Sequence, residues 1–143
     1  MQLRWTALST AALCACAASA SAQENIPSGA YEVTYSLELP HVAPTQSNTA
    51  KVCVTENHAF PVLSANNPLA RCPASDIRRQ GREVSFRIVC AGPNAAKADA
   101  LFDLRDDGFD GRIAMNMGGK NMTMTEVQHG RRVGDCAAGD TTR

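Results

Sequence analysis

The chain has 143 residues, of which 44% are hydrophobic, and its 14 basic and 14 acidic side chains give a formal net charge of zero at pH 7. This length suits one ordinary domain with a real core. The balanced charge gives no reason to expect nucleic acid or an acidic membrane surface as a partner.

The first 22 residues predict a secretory signal peptide. Arg4 supplies the basic start, an alanine-rich apolar stretch follows, and residues 20–22 offer small side chains before cleavage at Gln23. The apolar run is shorter than the roughly 20 residues that span a bilayer. We therefore expect a periplasmic or secreted protein without a transmembrane segment. Alternatively, residues 13–16 approximate a lipoprotein box, with Cys16 as the acylated anchor.

Four cysteines remain beyond this leader, and an even number in an exported protein predicts a disulfide framework. Bridges across strands need side chains on one face of the sheet. With Ile77 paired to Val84, this condition favours the bridges Cys53–Cys72 and Cys90–Cys136. A slip of one residue in the third strand would favour Cys72–Cys90 instead.

Apolar and polar residues alternate with period two along residues 31–39, which predicts a strand with one buried face. Residues 50–54 predict a second strand, and residues 75–79 predict a weaker third one. Gly81 then turns the chain into a fourth strand, whose inner residues are Val84, Phe86, Ile88 and Cys90.

The same alternation predicts three more strands, the fifth around Phe102 and the sixth after a hairpin turn at Asp107-Gly108. Gly118-Gly119 turns the chain into the seventh, which runs towards Val133. The predicted fold is all-β, a single antiparallel meander of about seven strands curled into a barrel or sandwich. We assign residues 23–136 to this domain and expect 137–143 to be a disordered tail.

Methionines crowd one side of the last predicted hairpin. The turn places Met115 opposite Met124 and Met117 opposite Met122. Four thioethers in an oxidising compartment suit Cu(I). Their parity is also that of Phe109, so the alternative is that these methionines fill the core.

Aromatic side chains point to the same predicted interior, where a curled meander can leave a cavity for an apolar ligand. The alternative is an interior that these side chains fill completely. The residues concerned are Tyr31, Tyr35, Phe86 and Phe102.

The sequence gives little support for a catalytic site or for a metal site other than the methionine hairpin. His41, His58 and His129 are too scattered for a metal-ligand spacing, and the aspartates around Gly108 lack the spacing of a calcium loop. We assign no catalytic residue and expect no cofactor. Export alone motivates the hypothesis of a secreted hydrolase.

Several segments together resemble a family of small exported proteins of Gram-negative bacteria, described as domain of unknown function 3617. The similar segments are residues 28–34 (SGAYEVT), 52–55 (VCVT), 79–90, 108–111 (GFDG) and 130–136, together with Cys72 and the Met/Thr hairpin. The resemblance covers about residues 26–136. It implies export, two disulfides and a β-rich domain, and it brings no activity or ligand.

These observations lead to the expectation of a periplasmic, non-catalytic binding or envelope-accessory protein. Its partner would be a small apolar ligand, carried inside the curled sheet, or another envelope protein. A copper(I)-binding protein and a secreted hydrolase are the alternatives.

Overall fold

The computed structural model describes residues 26–43, 46–55, 67–92, 95–119, 122–138 and 141–142. The predicted leader, Cys16 and His58 lie outside these residues. The described residues form one sheet and contain no helix long and apolar enough to cross a membrane. Its strands are β1 (Gly29–Glu38), β2 (Asn48–Val54), β3 (Ala74–Gln80), β4 (Glu83–Val89), β5 (Lys97–Arg105), β6 (Gly108–Asn116), β7 (Thr123–Gly134) and β8 (Thr141–Thr142).

The strands are ordered as in an up-and-down barrel, except that β2 and β3, which are consecutive in the chain, do not pair with each other. The strand order is β3-β4-β5-β6-β7-β1-β2-β8, so the first strand pairs with the seventh. All pairings are antiparallel except that of β8 with β2. The all-β prediction is confirmed. The meander is broken between β2 and β3, where the chain makes its longest connection.

The strands bury the face that the alternation predicts, which we call the inner face. Its side chains form one contiguous apolar cluster that includes Tyr31, Val33, Phe86, Phe102 and Phe109. The Tyr31 hydroxyl donates to the Pro27 carbonyl oxygen at 2.8 Å, so this buried phenol keeps a hydrogen-bond partner. Two strands depart from this pattern, because residues 75–80 of β3 and residues 48–51 of β2 are all exposed.

The disulfide pairing favoured from the sequence is wrong. The bridges are Cys53–Cys136 and Cys72–Cys90, instead of Cys53–Cys72 and Cys90–Cys136. The reason is a bulge in β3, where the register shifts between Ser75 and Arg78 and Asp76 has a φ of 53°. Near the turn, Arg79 instead of Ile77 pairs with Val84, and this shift of two residues keeps the faces unchanged. The bulge then changes the register by one residue, so that Ala74 lies opposite Ile88 and Cys72 is level with Cys90, as in the slipped register.

The bridge Cys53–Cys136 ties the C-terminal segment back to β2. Because Cys136 follows β7 and β7 is separated from β2 by β1, this bridge holds three neighbouring strands together at one end of the sheet. The two bridges have sequence separations of 83 and 18. The loop-entropy model gives about 4.5 kcal/mol for the first and about 3 kcal/mol for the second.

Two further expectations differ from the structure. The hairpin between β5 and β6 pairs Arg105 with Gly108, so its turn is Asp106-Asp107 and begins one residue before the predicted one. The second difference is at the C-terminus, where the tail 137–143 is predicted to be disordered. Within it, residues 141–142 pair in parallel with β2 as β8.

Two glycines on the inner face give room to aromatic rings from neighbouring strands. Phe102 is paired with Gly111 and Phe109 with Gly130, and a Cβ on either glycine would collide with the paired ring. The two rings lie 5.8 Å apart between centroids. Glycine covered by a cross-strand ring is a known means of curving a sheet, and here it occurs on two consecutive strand pairs.

This packing predicts that Gly111→Ala and Gly130→Ala each lower the free energy of unfolding by about 1–3 kcal/mol, as in other overpacked cores. Urea unfolding followed by circular dichroism measures the effect. Gly81→Asn is a suitable control, because Gly81 has a φ of 57°, which Asn tolerates, and a Cβ there meets nothing within 4 Å. A Gly111→Ala protein as stable as this control would contradict the packing argument.

Candidate functional site

A group of buried polar side chains interrupts the apolar inner face. Asn67, Glu126 and Gln128 are only 6%, 5% and 1% exposed. Glu126 and Gln128 have the same parity as Met124 on β7, so the alternation of the strand turns them inward. Asn67 comes from the segment before β3 and reaches them across the interior. We call these three residues the polar trio.

Glu126 is hydrogen-bonded to both of the other members of the trio. Asn67 Nδ2 donates to Glu126 Oε2 at 2.6 Å and contacts Met115 Sδ at 3.4 Å. Gln128 Nε2 donates to Glu126 Oε1 at 2.7 Å. The Asn67 side-chain oxygen accepts from the Leu69 backbone N–H at 2.9 Å, which anchors the turn at residues 67–72 over the trio. The Glu126 carboxylate therefore receives a donor on each oxygen.

One polar atom of the trio has no partner. Gln128 Oε1 is buried and accepts no hydrogen bond from any described residue. A flipped amide would place this oxygen against Glu126 Oε1, so the hydrogen bond of Nε2 sets the orientation. An unsatisfied buried acceptor costs about 1–3 kcal/mol, and most buried polar groups in native proteins are satisfied. This oxygen is therefore a buried acceptor that only an added donor would satisfy.

Aromatic and small residues surround Gln128 on the sheet. Its cross-strand partners are Gly111 on β6 and Tyr35 on β1. Because Phe102 covers Gly111 and Phe109 covers Gly130, the neighbouring positions present ring surface rather than side chains of their own. The free amide oxygen therefore belongs to a predominantly apolar region.

Among the described residues, no strand pairing joins the two edge strands β3 and β8, so the sheet stays open between them. The bulge residue Ile77 is 46% exposed there, although the adjacent strand β4 buries Val84 and Phe86 almost completely. At the rim, partly buried side chains pack against the core, among them Leu37, Met117 and Met124. A single exposed apolar side chain is ordinary at a protein surface, so Ile77 marks the open edge of the sheet and does not by itself indicate a binding site.

The methionine hairpin has the predicted register. Met115 pairs with Met124, and the Met117 N–H donates to the Met122 carbonyl oxygen at 2.9 Å. The four residues differ in environment, because Met115 is 3% exposed and Met122 is 46% exposed. Met115, Met117 and Met124 belong to the apolar cluster or pack against it, as the core interpretation predicts.

On the opposite, outer face, strands β4 to β7 form a depression of about 420 Å³. It contains an acid–base pair, since His129 Nδ1 lies 2.5 Å from Asp110 Oδ1 and Arg105 also bonds to Asp110. Burial alone would raise the pKa of Asp110. The hydrogen bonds and positive charges of His129 and Arg105 outweigh it and lower that pKa below its usual value.

The depression combines this acid–base pair with an apolar floor. Leu101, which is 47% exposed, and Val127 provide the floor. The hydrolase hypothesis requires a concave site with paired acid and base groups, and the Asp110–His129 pair is the nearest approach to one among the described residues.

The described part of the chain contains no metal site built from His, Cys, Asp or Glu ligands. No three His, Cys, Asp or Glu side chains there are placed to hold a metal ion. His41 is exposed beyond β1, and His129 lies on the outer face, as its parity predicts. Three of the aspartates around Gly108 form ion pairs with arginines: Asp103 with Arg82 at 3.1 Å, and Asp107 and Asp110 with Arg105.

The sequence analysis missed the polar trio. A signal for two of its members exists, because the alternation that turns Met122 and Met124 inward continues through Glu126 and Gln128. Their polarity hid this, since inward positions are expected to be apolar. Asn67 lies in a segment without periodicity, and its position in space depends on the bridge between Cys72 and Cys90.

The lowered pKa of Asp110 predicts a pH-dependent contribution to stability. A depressed carboxyl pKa stabilises the fold above the pKa of the unfolded chain, and this contribution is lost as the pH falls through the folded-state value. Wild type should therefore be more stable than Asp110→Asn at pH 6, by less than about 1 kcal/mol because the pair is exposed. The difference should shrink below about pH 4.

Urea unfolding at several pH values measures this difference. Asp106→Asn removes the same charge from an exposed turn and serves as the control. A difference between wild type and Asp110→Asn that stays constant from pH 6 to pH 3 would contradict the role of the ion pair.

One of the comparisons with known proteins gives a match. A family model described as a protein of unknown function (DUF3617) matches residues 26–136. A search of the curated proteins and a search of the solved structures each found no significant match. The matched region begins just before β1 and ends at Cys136, so it includes both disulfides and the polar trio. The chain belongs to the DUF3617 family.

Proposed function

We propose that the protein is a periplasmic, non-catalytic carrier that binds a small apolar ligand against the inner face of its open sheet. The observation that carries this proposal is the polar trio, a buried carboxylate and two buried amides on an otherwise apolar face. Ligand sites commonly combine mostly apolar walls with a few convergent polar groups.

Energetics supports a role for the trio beyond folding. Burying a carboxylate costs several kcal/mol, which its hydrogen bonds offset only in part, and apolar residues of similar volume often give an equal or more stable core. The trio also leaves Gln128 Oε1 without a donor. Orienting a bound molecule would explain why the polar trio is present although it lowers the stability of the fold.

Access to this face is also consistent with a carrier. The strand β3 is exposed along residues 75–80, and no hydrogen bonds join it to β2. A ligand entering beside β3 would meet Ile77 and then the aromatic cluster, without breaking a strand pairing. Apolar contact with these side chains would supply most of the binding free energy.

The periplasmic location is supported by the leader-like residues 1–22 and by the cysteines. All four cysteines beyond the leader are paired, and disulfides persist in oxidising compartments. A carrier of apolar molecules is chemically reasonable there, because such molecules cross an aqueous space between two membranes.

The carrier proposal predicts saturable binding of the fluorescent probe N-phenyl-1-naphthylamine to protein that has been unfolded, stripped of lipid and refolded with its disulfides intact. Met124→Asp should weaken binding by about tenfold or more, because it places a charge at the rim of the inner face. Met124 is partly buried against the apolar cluster.

Thr125→Asp is the matched control for this experiment. Thr125 is the next residue of β7 and points to the outer face, so the same charge there should leave the affinity unchanged. Absence of saturable binding, or equal weakening by both substitutions, would contradict the carrier proposal.

Copper(I) binding is a second candidate because the predicted cross-strand methionine pairs are formed. One contact and one exposed side chain argue against it. Met115 Sδ already receives an N–H from Asn67, and Met122 is largely exposed, whereas soft-metal sites need several converging sulfur atoms.

We expect Met115→Leu combined with Met124→Leu to leave the Cu(I) affinity unchanged. Competition with a chromogenic Cu(I) chelator under anaerobic conditions measures this affinity, and circular dichroism checks that the variant is folded. A loss of affinity of tenfold or more in the folded double variant would favour the copper site over the core interpretation.

A further inference from the structure

We infer that the ligand of the inner face carries a hydrogen-bond donor at its polar end, a hydroxyl or an amine attached to an apolar body. This inference rests on the proposed carrier function and specifies the chemical class of its ligand. The unpaired oxygen of Gln128 points to it, together with the hydrogen bonds that Asn67 already makes.

The amide of Gln128 can offer only an acceptor to a ligand at its oxygen. Its Nε2 donates to Glu126 Oε1 at 2.7 Å, which fixes which side of the amide holds the oxygen. Oε1 is enclosed, since Gln128 is 1% exposed, and no described residue donates to it. A ligand O–H or N–H directed at this atom would satisfy it.

The other members of the trio disfavour an acidic head group. Asn67 Nδ2 is engaged by Glu126 Oε2 and Met115 Sδ, and its oxygen accepts from Leu69 N–H. The Glu126 carboxylate accepts a hydrogen bond from Nε2 of the same Gln128 amide, so its negative charge lies close to the unpaired oxygen. A carboxylate or phosphate head group would therefore meet acceptors of its own kind in a medium of low dielectric constant.

The remainder of the ligand should be apolar. On the sheet, Gln128 is opposite Tyr35 and Gly111, and the ring of Phe102 covers Gly111. The ring of Phe86 stacks on Phe102 at a centroid distance of 5.7 Å and extends this surface towards the exposed β3. A chain held along this surface would place a single donor at Gln128.

The test compares three probes that share a ten-carbon chain: decan-1-ol, decyl methyl ether and decanoate. Displacement of N-phenyl-1-naphthylamine from the stripped, refolded protein gives their affinities. We expect decan-1-ol to bind about tenfold or more tightly than the ether, because only the alcohol donates, and decanoate to bind more weakly than both. Equal affinities for alcohol and ether would overturn the inference and leave the carrier function standing. Failure of every probe to bind would overturn the carrier function itself.

A substitution tests whether Gln128 is the acceptor. Gln128→Met keeps the length of the side chain and removes the amide, so the alcohol should lose its advantage while the affinity for the ether is retained. Gln80→Met, at an exposed position of β3, is the matched control and should keep the preference. A folded Gln128→Met protein that still prefers the alcohol would overturn the assignment. If this variant does not fold, the comparison of alcohol and ether on the wild-type protein decides the inference.

Discussion

The pairing of β1 with β7 is the constraint on which the rest of the structure depends. It joins the first strand of the domain to the last long one, from Ala30 opposite Gly134 to Glu38 opposite Thr125. Because this junction is hydrogen-bonded, β1 lies inside the sheet, and the two edge strands are β3 and the short C-terminal strand β8. The Cys53–Cys136 bridge then secures the same junction covalently.

The two glycines that allow the sheet to curve also lie next to the polar trio. Gly111 and Gly130 allow the rings of Phe102 and Phe109 to lie against the backbone of the neighbouring strand. Gln128 is paired with Gly111 and lies two residues before Gly130 on β7, so both neighbouring positions lack a side chain of their own. The rings that cover these two glycines therefore lie beside the buried amide of Gln128, so the curl of the sheet and the apolar surroundings of the trio come from the same contacts.

The sequence predicted the strands well because period-two alternation depends only on which face each side chain meets. Val84, Phe86 and Ile88 are buried as their spacing requires, and the methionine pairs have the expected register. The disulfide pairing could not be predicted in the same way. One extra residue at Asp76 reverses the face of everything before it, and a bulge leaves no mark in an alternation as weak as that of residues 75–79.

The candidate site was harder to predict than the fold for a related reason. Polarity is the evidence that assigns a residue to the outer face, so Glu126 and Gln128 were the residues least expected inside. Asn67 reaches them through contacts between segments distant in sequence, 59 residues apart in the case of Glu126. Such a contact depends on the folded sheet and on the bridge between Cys72 and Cys90, neither of which a local pattern contains.

Native mass spectrometry of the protein purified without reduction or detergent tests the central claim most directly. The account predicts an oxidised protein that carries one small apolar molecule, released on unfolding, whose head group bears a hydroxyl or an amine. A protein with both disulfides formed and no bound molecule, which also fails to take up an apolar alcohol after refolding, would contradict it.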